Sequence, residues 1–247
     1  MDQWLTELDQ VYARIAGRFT RAEPRRRARL YLSGLVAGPA RKNGWTLAEQ
    51  AGDISPDGMQ RLLRSADWDV DKVRDDVRDY VIEKLGDRPG ALIAGAAGFS
   101  KKGVRSAGVA RQFSPTTGRI ENCQVGLFVA YRTDAGQALI DRQLYLPREW
   151  TDDRVRRQAA GIGDGVTFAS KDEIVERMLE RVLATGVRPS RVVVDNAALR
   201  ESVQQARDQA GLDQYQVRDW RAWHAHITLS MAAYAWLVVT RALEPPD

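Results

Sequence analysis

Apolar residues recur along this chain with two different periods, and the change between them divides it. Up to residue 87 they return every three or four positions, the spacing of one face of a helix. Trp4, Leu8, Val11, Tyr12 and Ile15 make a first stripe. Pro24 suits the first turn of a second helix, with Arg25, Arg26, Arg27 and Arg29 on its polar side and Tyr31, Leu32 and Leu35 on its apolar side. A short helix is predicted over 46–51, and another begins at Ser55, with Ser55 as its cap and Pro56 at its first position. Residues 71–85 are amphipathic, with Val73, Val77, Tyr80, Val81 and Leu85 on one face. Residues 86–90, with glycine at both ends and a proline, read as a linker.

From residue 91 the pattern changes. Residues 91–98 (ALIAGAAG) form a short apolar run closed by glycine, as expected of a central strand covered on both faces. The segments 123–131 and 138–146 are rich in β-branched and aromatic residues. Thr133, Asp134, Ala135 and Gly136 separate them, which predicts an antiparallel hairpin. A helix over 171–185 carries Ile174, Val175, Met178, Leu179 and Val182 on one stripe and ends at Gly186. The strand 191–195 follows it, and strand, helix, strand order implies a parallel crossover into the same sheet. Residues 198–210 form a further helix. A long final one starts near Trp220 and is apolar nearly all round from Ile227, so it should be deeply packed. The expected architecture is α/β: a mixed sheet flanked by helices over 88–247, preceded by an all-helical domain over 1–87.

Composition narrows the function less than the fold. With 44% apolar and 28% charged residues in 247, the chain is an ordinary globular protein. Its one cysteine, Cys123, rules out an internal disulfide, and neither a signal peptide nor a long apolar span is visible. A cytoplasmic location without a membrane partner is the expectation. A net charge of +4 permits an anionic partner. Two short helices around the turn near Gly52 and Asp53 permit a helix-turn-helix reading, in which duplex DNA would be met by Arg25, Arg26, Arg27, Arg29, Arg41 and Lys42. The same arginines can equally form a solvated face. His224 and His226 are two apart, on different faces of a helix, and do not make an i, i+4 metal pair.

The order of hairpin, helix, strand and helix is that of the RNase H-like fold. Ordered motifs carry a closer resemblance: 98–103 (GFSKKG), 106–112 (SAGVARQ), 118–126 (GRIENCQVG), 138–147 (ALIDRQLYLP) and 149–153 (EWTDD), with 41–45 (RKNGW), 57–63 (DGMQRLL) and 211–229 at the two ends. Together they resemble the DDE transposases of bacterial insertion sequences over almost the whole chain. That resemblance implies an Asp-Asp-Glu triad holding two Mg²⁺ ions about 3.5 to 4 Å apart for DNA strand cleavage and transfer. The sequence departs from it. Gly95, Ala96 and Ala97 stand where the first aspartate belongs, while Asp195 matches the second. The glutamate position falls on Arg200, with Glu201 beside it, and a following lysine position falls on Arg207. Glu201 lies roughly 200° around the helix from Leu199, away from its apolar face. It also follows Asp195 by only six positions, where these transposases carry a long insertion.

No metal or other cofactor is therefore expected, residual Mg²⁺ at Asp195 included. The first expectation is a transposase-derived protein, inactive in cleavage and transfer, that keeps a role in binding double-stranded DNA or a protein, a second copy of itself among them. The alternative is a fold recruited to small-molecule metabolite chemistry, with the emptied metal site as its pocket. Ala96, Asp195 and His224 would then surround a cavity on the order of several hundred Å³. Glu121, Cys123, Asp141, Tyr145, Asp195 and His224 are its candidate polar groups. Each has a structural alternative: Cys123 as a small core residue, Glu121 and Asp141 as partners of Arg119 and Arg142, His224 as a histidine hydrogen-bonded to the domain surface. Asp195, at a strand end, is the candidate common to both readings.

Overall fold

Five helices come first: α1 (Asp2–Ala16), α2 (Ala22–Ala37), α3 (Gly44–Gln50), α4 (Asp57–Arg64) and α5 (Val70–Leu85). The computed structural model describes residues 2–86 and 90–244; residues 87–89 of the expected linker and the Trp4 side chain lie outside the described part. The apolar stripes behave as their spacing predicts, with Val11, Ile15, Leu32, Leu35, Val73 and Val77 all buried. Local chemistry fixes the helix starts. Asn43 caps α3, accepting from the Trp45 and Thr46 amides while Thr46 returns a bond to the Asn43 backbone. Asp69 does the same for α5 through the Asp71 and Lys72 amides. In α4 the start is one residue later than the pattern predicts. Pro56 is itself the cap residue, and Ser55 Oγ accepts only a long 3.4 Å bond from the Asp57 amide.

The sheet contains β1 (Ala91–Ser100), β2 (Ala110–Ser114), β3 (Arg119–Thr133), β4 (Gly136–Leu144) and β5 (Arg191–Val194). The long β3 pairs antiparallel with β1 on one side. On its other side it pairs first with β2 and then with β4, the expected hairpin. On the far side of β1, β5 runs parallel to it, Ala91 opposite Arg191 through Ala94 opposite Val194. Central β1 is buried almost throughout, as its sequence predicts. In contrast, β5 is an edge strand whose Val192 and Val194 are 45% and 63% exposed. β2 has no counterpart in the apolar pattern, because only its two end residues are buried.

Between β4 and β5 come two short helices, α6 (Arg148–Thr151) and α7 (Arg154–Ala159), then α8 (Lys171–Leu183). Ser170 and Glu173 form a capping box at the start of α8. After β5 come α9 (Asn196–Ala210) and α10 (Trp220–Leu243). Gly211 ends α9 with φ of 64°, a left-handed conformation that favours glycine, and a Cβ there would come within 2.9 Å of Lys42 Cβ. The all-round apolarity of α10 has a simple cause. It packs on β4 on one side and on α5, α2 and α4 on the other, so every residue from Ala222 to Thr240 is buried. Through α10, one hydrophobic cluster runs from Val11 in the helical layer to the sheet and on to Val239. Among the described residues no helix is long and apolar enough to cross a membrane.

Candidate functional site

The crevice of interest opens where β5 hands over to α9, beside the middle of β1. The Asp195 amide donates to Ala94 O at 2.9 Å, the last ladder bond between these strands. Its carboxylate turns back and accepts from the Ala197 amide at 2.8 Å, capping α9. Asn196 Oδ1 accepts from the Ala96 amide at 2.7 Å, tying the helix start to β1. A Cβ added at Gly95 would lie 3.1 Å from both Asn196 Oδ1 and Asp195 O. Any side chain there would push against the first turn of α9.

Past this contact lies a cavity of about 110 Å³ whose walls include Ala96, Ala97, Thr116, Leu199, Arg200 and Arg207. Arg207 donates to Gly98 O at 2.7 Å and to Thr116 Oγ1 at 3.3 Å. Its guanidinium carbon sits 5.0 Å from the Phe99 ring centroid, and Asp213 lies 3.7 Å from Nε. Arg200 is exposed at the mouth. Two guanidinium groups thus wall this space, with Asp213 beside Arg207 and with Asp195, which caps α9, outside its walls. A divalent cation would meet like charge and no ligand set here. Among the described residues no cluster of three or more His, Cys, Asp or Glu could hold a metal. The two Mg²⁺ ions implied by the sequence resemblance do not fit these residues.

The comparison with known proteins bears on the same segments. The sequence profile of the DDE superfamily endonucleases matches residues 14–213. The chain belongs to this family. A curated relative, the "Probable transposase for insertion sequence element IS701" of Microchaete diplosiphon, is 26% identical over 164 residues, which cover 66% of this chain and 40% of that protein. The chain therefore spans under half the length of that relative. No solved structure matches it.

As a DDE superfamily chain, its remaining carboxylates can be placed one by one. Glu201 lies on the opposite flank of α9 from Arg200, bonded by Gln205 Nε2 at 3.2 Å in a separate hollow shared with Arg132, Gln137 and Arg241. A one-residue slip of the motif therefore leads away from the crevice. Glu121 accepts from Ser100 Oγ at 2.9 Å and Thr117 Oγ1 at 3.0 Å, with Arg119 at 3.5 Å; the Ser100 bond is the first cause that lowers its pKa. Asp141 is fully buried in an ionic cluster. Arg181 chelates it at 2.8 to 3.0 Å, and Arg74 lies 3.5 Å away. The buried Arg142 guanidinium turns instead to Asp71 and Thr228.

His224 does not join Asp195. It is buried between α10 and β4, with Nδ1 2.9 Å from Trp220 O and Nε2 accepting from the Leu144 amide at 3.5 Å. Burial, and next the Arg142 charge, push its pKa down to about 3. The expected pocket around Ala96, Asp195 and His224 is not formed among the described residues: neither Asp195 nor His224 lines the 110 Å³ cavity. Cys123 is a buried strand residue whose pKa is raised, chiefly by burial. Tyr145 lies beneath the Lys171 ammonium, 5.0 Å from the ring centroid.

The six candidate DNA-binding residues differ in what they are free to do. Arg27 pairs with Asp53 and Glu23, and Arg29 pairs with Asp9 at 2.6 Å. Arg25 donates to Phe19 O at 3.1 Å. Lys42 is buried, its stem against Gly211, and burial lowers its pKa. Arg26 and Arg41 are exposed and make no ion pair among the described residues. The partners of one histidine had no signal in the sequence. His226 Nδ1 accepts from Tyr31 Oη at 2.8 Å while Nε2 donates to Gly211 O at 3.1 Å, fastening α2 to the α9–α10 corner.

Proposed function

We propose that this protein binds duplex DNA through its basic surface and neither cleaves nor transfers strands. The observation that carries the reading is the reversed charge of the crevice: Ala96 and Ala97 on β1 share its wall with Arg200 and Arg207 on α9. Strand cleavage by two metal ions needs carboxylates that bridge them, and guanidinium groups instead suit the phosphate oxygens that such ions would otherwise neutralise. Membership of the DDE superfamily and the similarity to an insertion-sequence transposase make DNA the natural partner. The rival reading, metabolite chemistry in the emptied site, has less support. A cavity of about 110 Å³ is well below the roughly 300 Å³ at which small-molecule pockets begin.

The test combines a supercoiled plasmid with Mg²⁺ or Mn²⁺ and a gel shift at low salt. The expected result is retarded duplex and no nicked circle, with retardation weakened by Arg200→Glu. Metal-dependent nicking that disappears in Asp195→Ala would overturn the inactive reading, and absence of any shift at low salt would overturn the DNA reading.

A further inference from the structure

A larger cavity lies elsewhere, at the seam between the helical layer and the sheet. It measures about 840 Å³ and shares no wall residue with the crevice at Ala96. That is the size of a drug- or cofactor-sized ligand site. Its floor is apolar, built from Met59 and Leu63 of α4, Ala222 of α10 and the rings of Tyr31 and Tyr215. Those two hydroxyls are already committed, Tyr31 to His226 and Tyr215 to Gln124, so the rings offer the site surface and not hydrogen bonds.

The polar groups sort into spent and free. Asp219, the one acid on the wall, caps α10 through the Ala222 amide and pairs with Arg64 at 3.2 Å. Arg156 donates to the carbonyls of Val104 and Val109 and stacks 3.8 Å from the Trp150 ring centroid. Asn43 caps α3. Arg105 and Arg218, in contrast, line the cavity with no ion pair or side-chain hydrogen bond among the described residues, and the Gln60 and Gln216 amides are likewise unengaged. The site therefore presents an apolar floor, two amides able both to donate and to accept, and two guanidinium groups without a counter-charge. A flat ring with hydrogen-bonding edges, joined to a phosphate, matches all three. All four of these polar groups are exposed, so a ligand would exchange water for direct bonds to them.

We propose that the seam cavity binds a nucleotide, its base on the Met59, Leu63 and Ala222 floor and its phosphate against Arg105 and Arg218. The site stands independently of duplex binding, since none of its walls belongs to the crevice. The nucleotide could be free or the unpaired terminus of a DNA strand, and both present the same chemistry.

Isothermal titration of the full chain with 2′-deoxyadenosine 5′-monophosphate tests it, beside deoxyadenosine, inorganic phosphate and octanoate. Saturable one-to-one binding of the monophosphate is expected, at least tenfold tighter than any of the other three. The rim double variant Arg105→Ala/Arg218→Ala should weaken it by at least tenfold, and Ala159→Trp, which projects an indole from the exposed rim into the cavity, should abolish it. Circular dichroism confirms that both variants fold. Failure of the monophosphate to bind up to millimolar concentration, equal binding by both variants, or preference for octanoate would overturn the proposal. Competition by a duplex with a one-nucleotide 3′ overhang, but not by a blunt one, would identify the strand terminus as the source; competition by neither would identify the free nucleotide. A gel shift that survives in the rim variant separates this site from duplex binding.

Discussion

Single residues in this protein do structural work where a catalytic reading would first look. His224 and His226 are both buried and neutral, held near pKa values of about 3 and about 4, in each case chiefly by burial. In the unfolded chain both return to about 6.5. As pH falls below 6.5 the unfolded state takes up protons that the folded state refuses, so stability present above pH 6.5 is lost on acidification. Each histidine costs about 1.4 kcal/mol per pH unit across that window, or roughly 4 kcal/mol for the two at pH 5. Lys101, near His226, does not alter the slope, since its pKa of about 8 leaves it charged throughout the window. Asp71, near His224, enters only below pH 4, because Arg142 and Arg74 outweigh burial and hold it at about 2. Urea unfolding at pH 7.5 and pH 5 should therefore show a lower midpoint at pH 5, with about half of the difference removed in His226→Gln. Equal midpoints at the two pH values would contradict the buried, neutral assignment.

At the scale of elements, the cluster around Asp141 joins α5, β4 and α8. Arg74 from α5 and Arg181 from α8 converge on this one buried carboxylate of β4. Removing one member of such a cluster leaves charge buried without compensation, at a cost of about 3 to 5 kcal/mol. Asp141→Ala should lower the unfolding free energy by that amount, whereas Glu121→Ala, at a partly exposed site held by the Ser100 and Thr117 hydroxyls, should change it far less. A stable Asp141→Ala protein would return that residue to consideration as a functional group. The sequence predicts β1, the hairpin of β3 and β4, and α10 well, because their apolar runs are long and their turns carry glycine. β2 is invisible to the same reading: of ARQFS only the end residues are buried, and its partner is β3, not an apolar face. β5 enters the sheet parallel to β1, as the strand, helix, strand order predicts, but at an edge, since an apolar run does not record which neighbour is present. The sequence itself carries no acid from Gly95 to Ala97 or at Arg200, and the structure adds that Arg200 and Arg207 wall the same cavity. The contact of Tyr31 with His226, across 195 residues, had no local signal.

At the scale of the whole molecule, charge that looks plentiful in sequence is largely used up in the fold. A net +4 on 37 basic residues includes Arg18 with Asp76, Arg27 with Asp53 and Arg29 with Asp9, each already neutralised by a nearby carboxylate. The cations left for a polyanion are fewer, Arg26, Arg41 and Arg200 among them. A duplex that engages about four phosphates would release a matching number of counterions, giving a slope of roughly −3.6 in log affinity against log salt and a loss of about 10²-fold between 50 and 200 mM. Replacing Arg26 and Arg41 together by alanine should reduce the slope by about 2, one unit for each phosphate that is no longer neutralised. Replacing Arg27 and Arg29 should reduce it less, because each is already paired with a carboxylate and neutralises no phosphate. A salt series of gel shifts on the wild type and the two double variants measures all three slopes. If Arg27 and Arg29 prove to carry the larger share, their ion pairs open on DNA and the helical layer rearranges when it binds; if none of the slopes differs, the duplex contacts lie on another face.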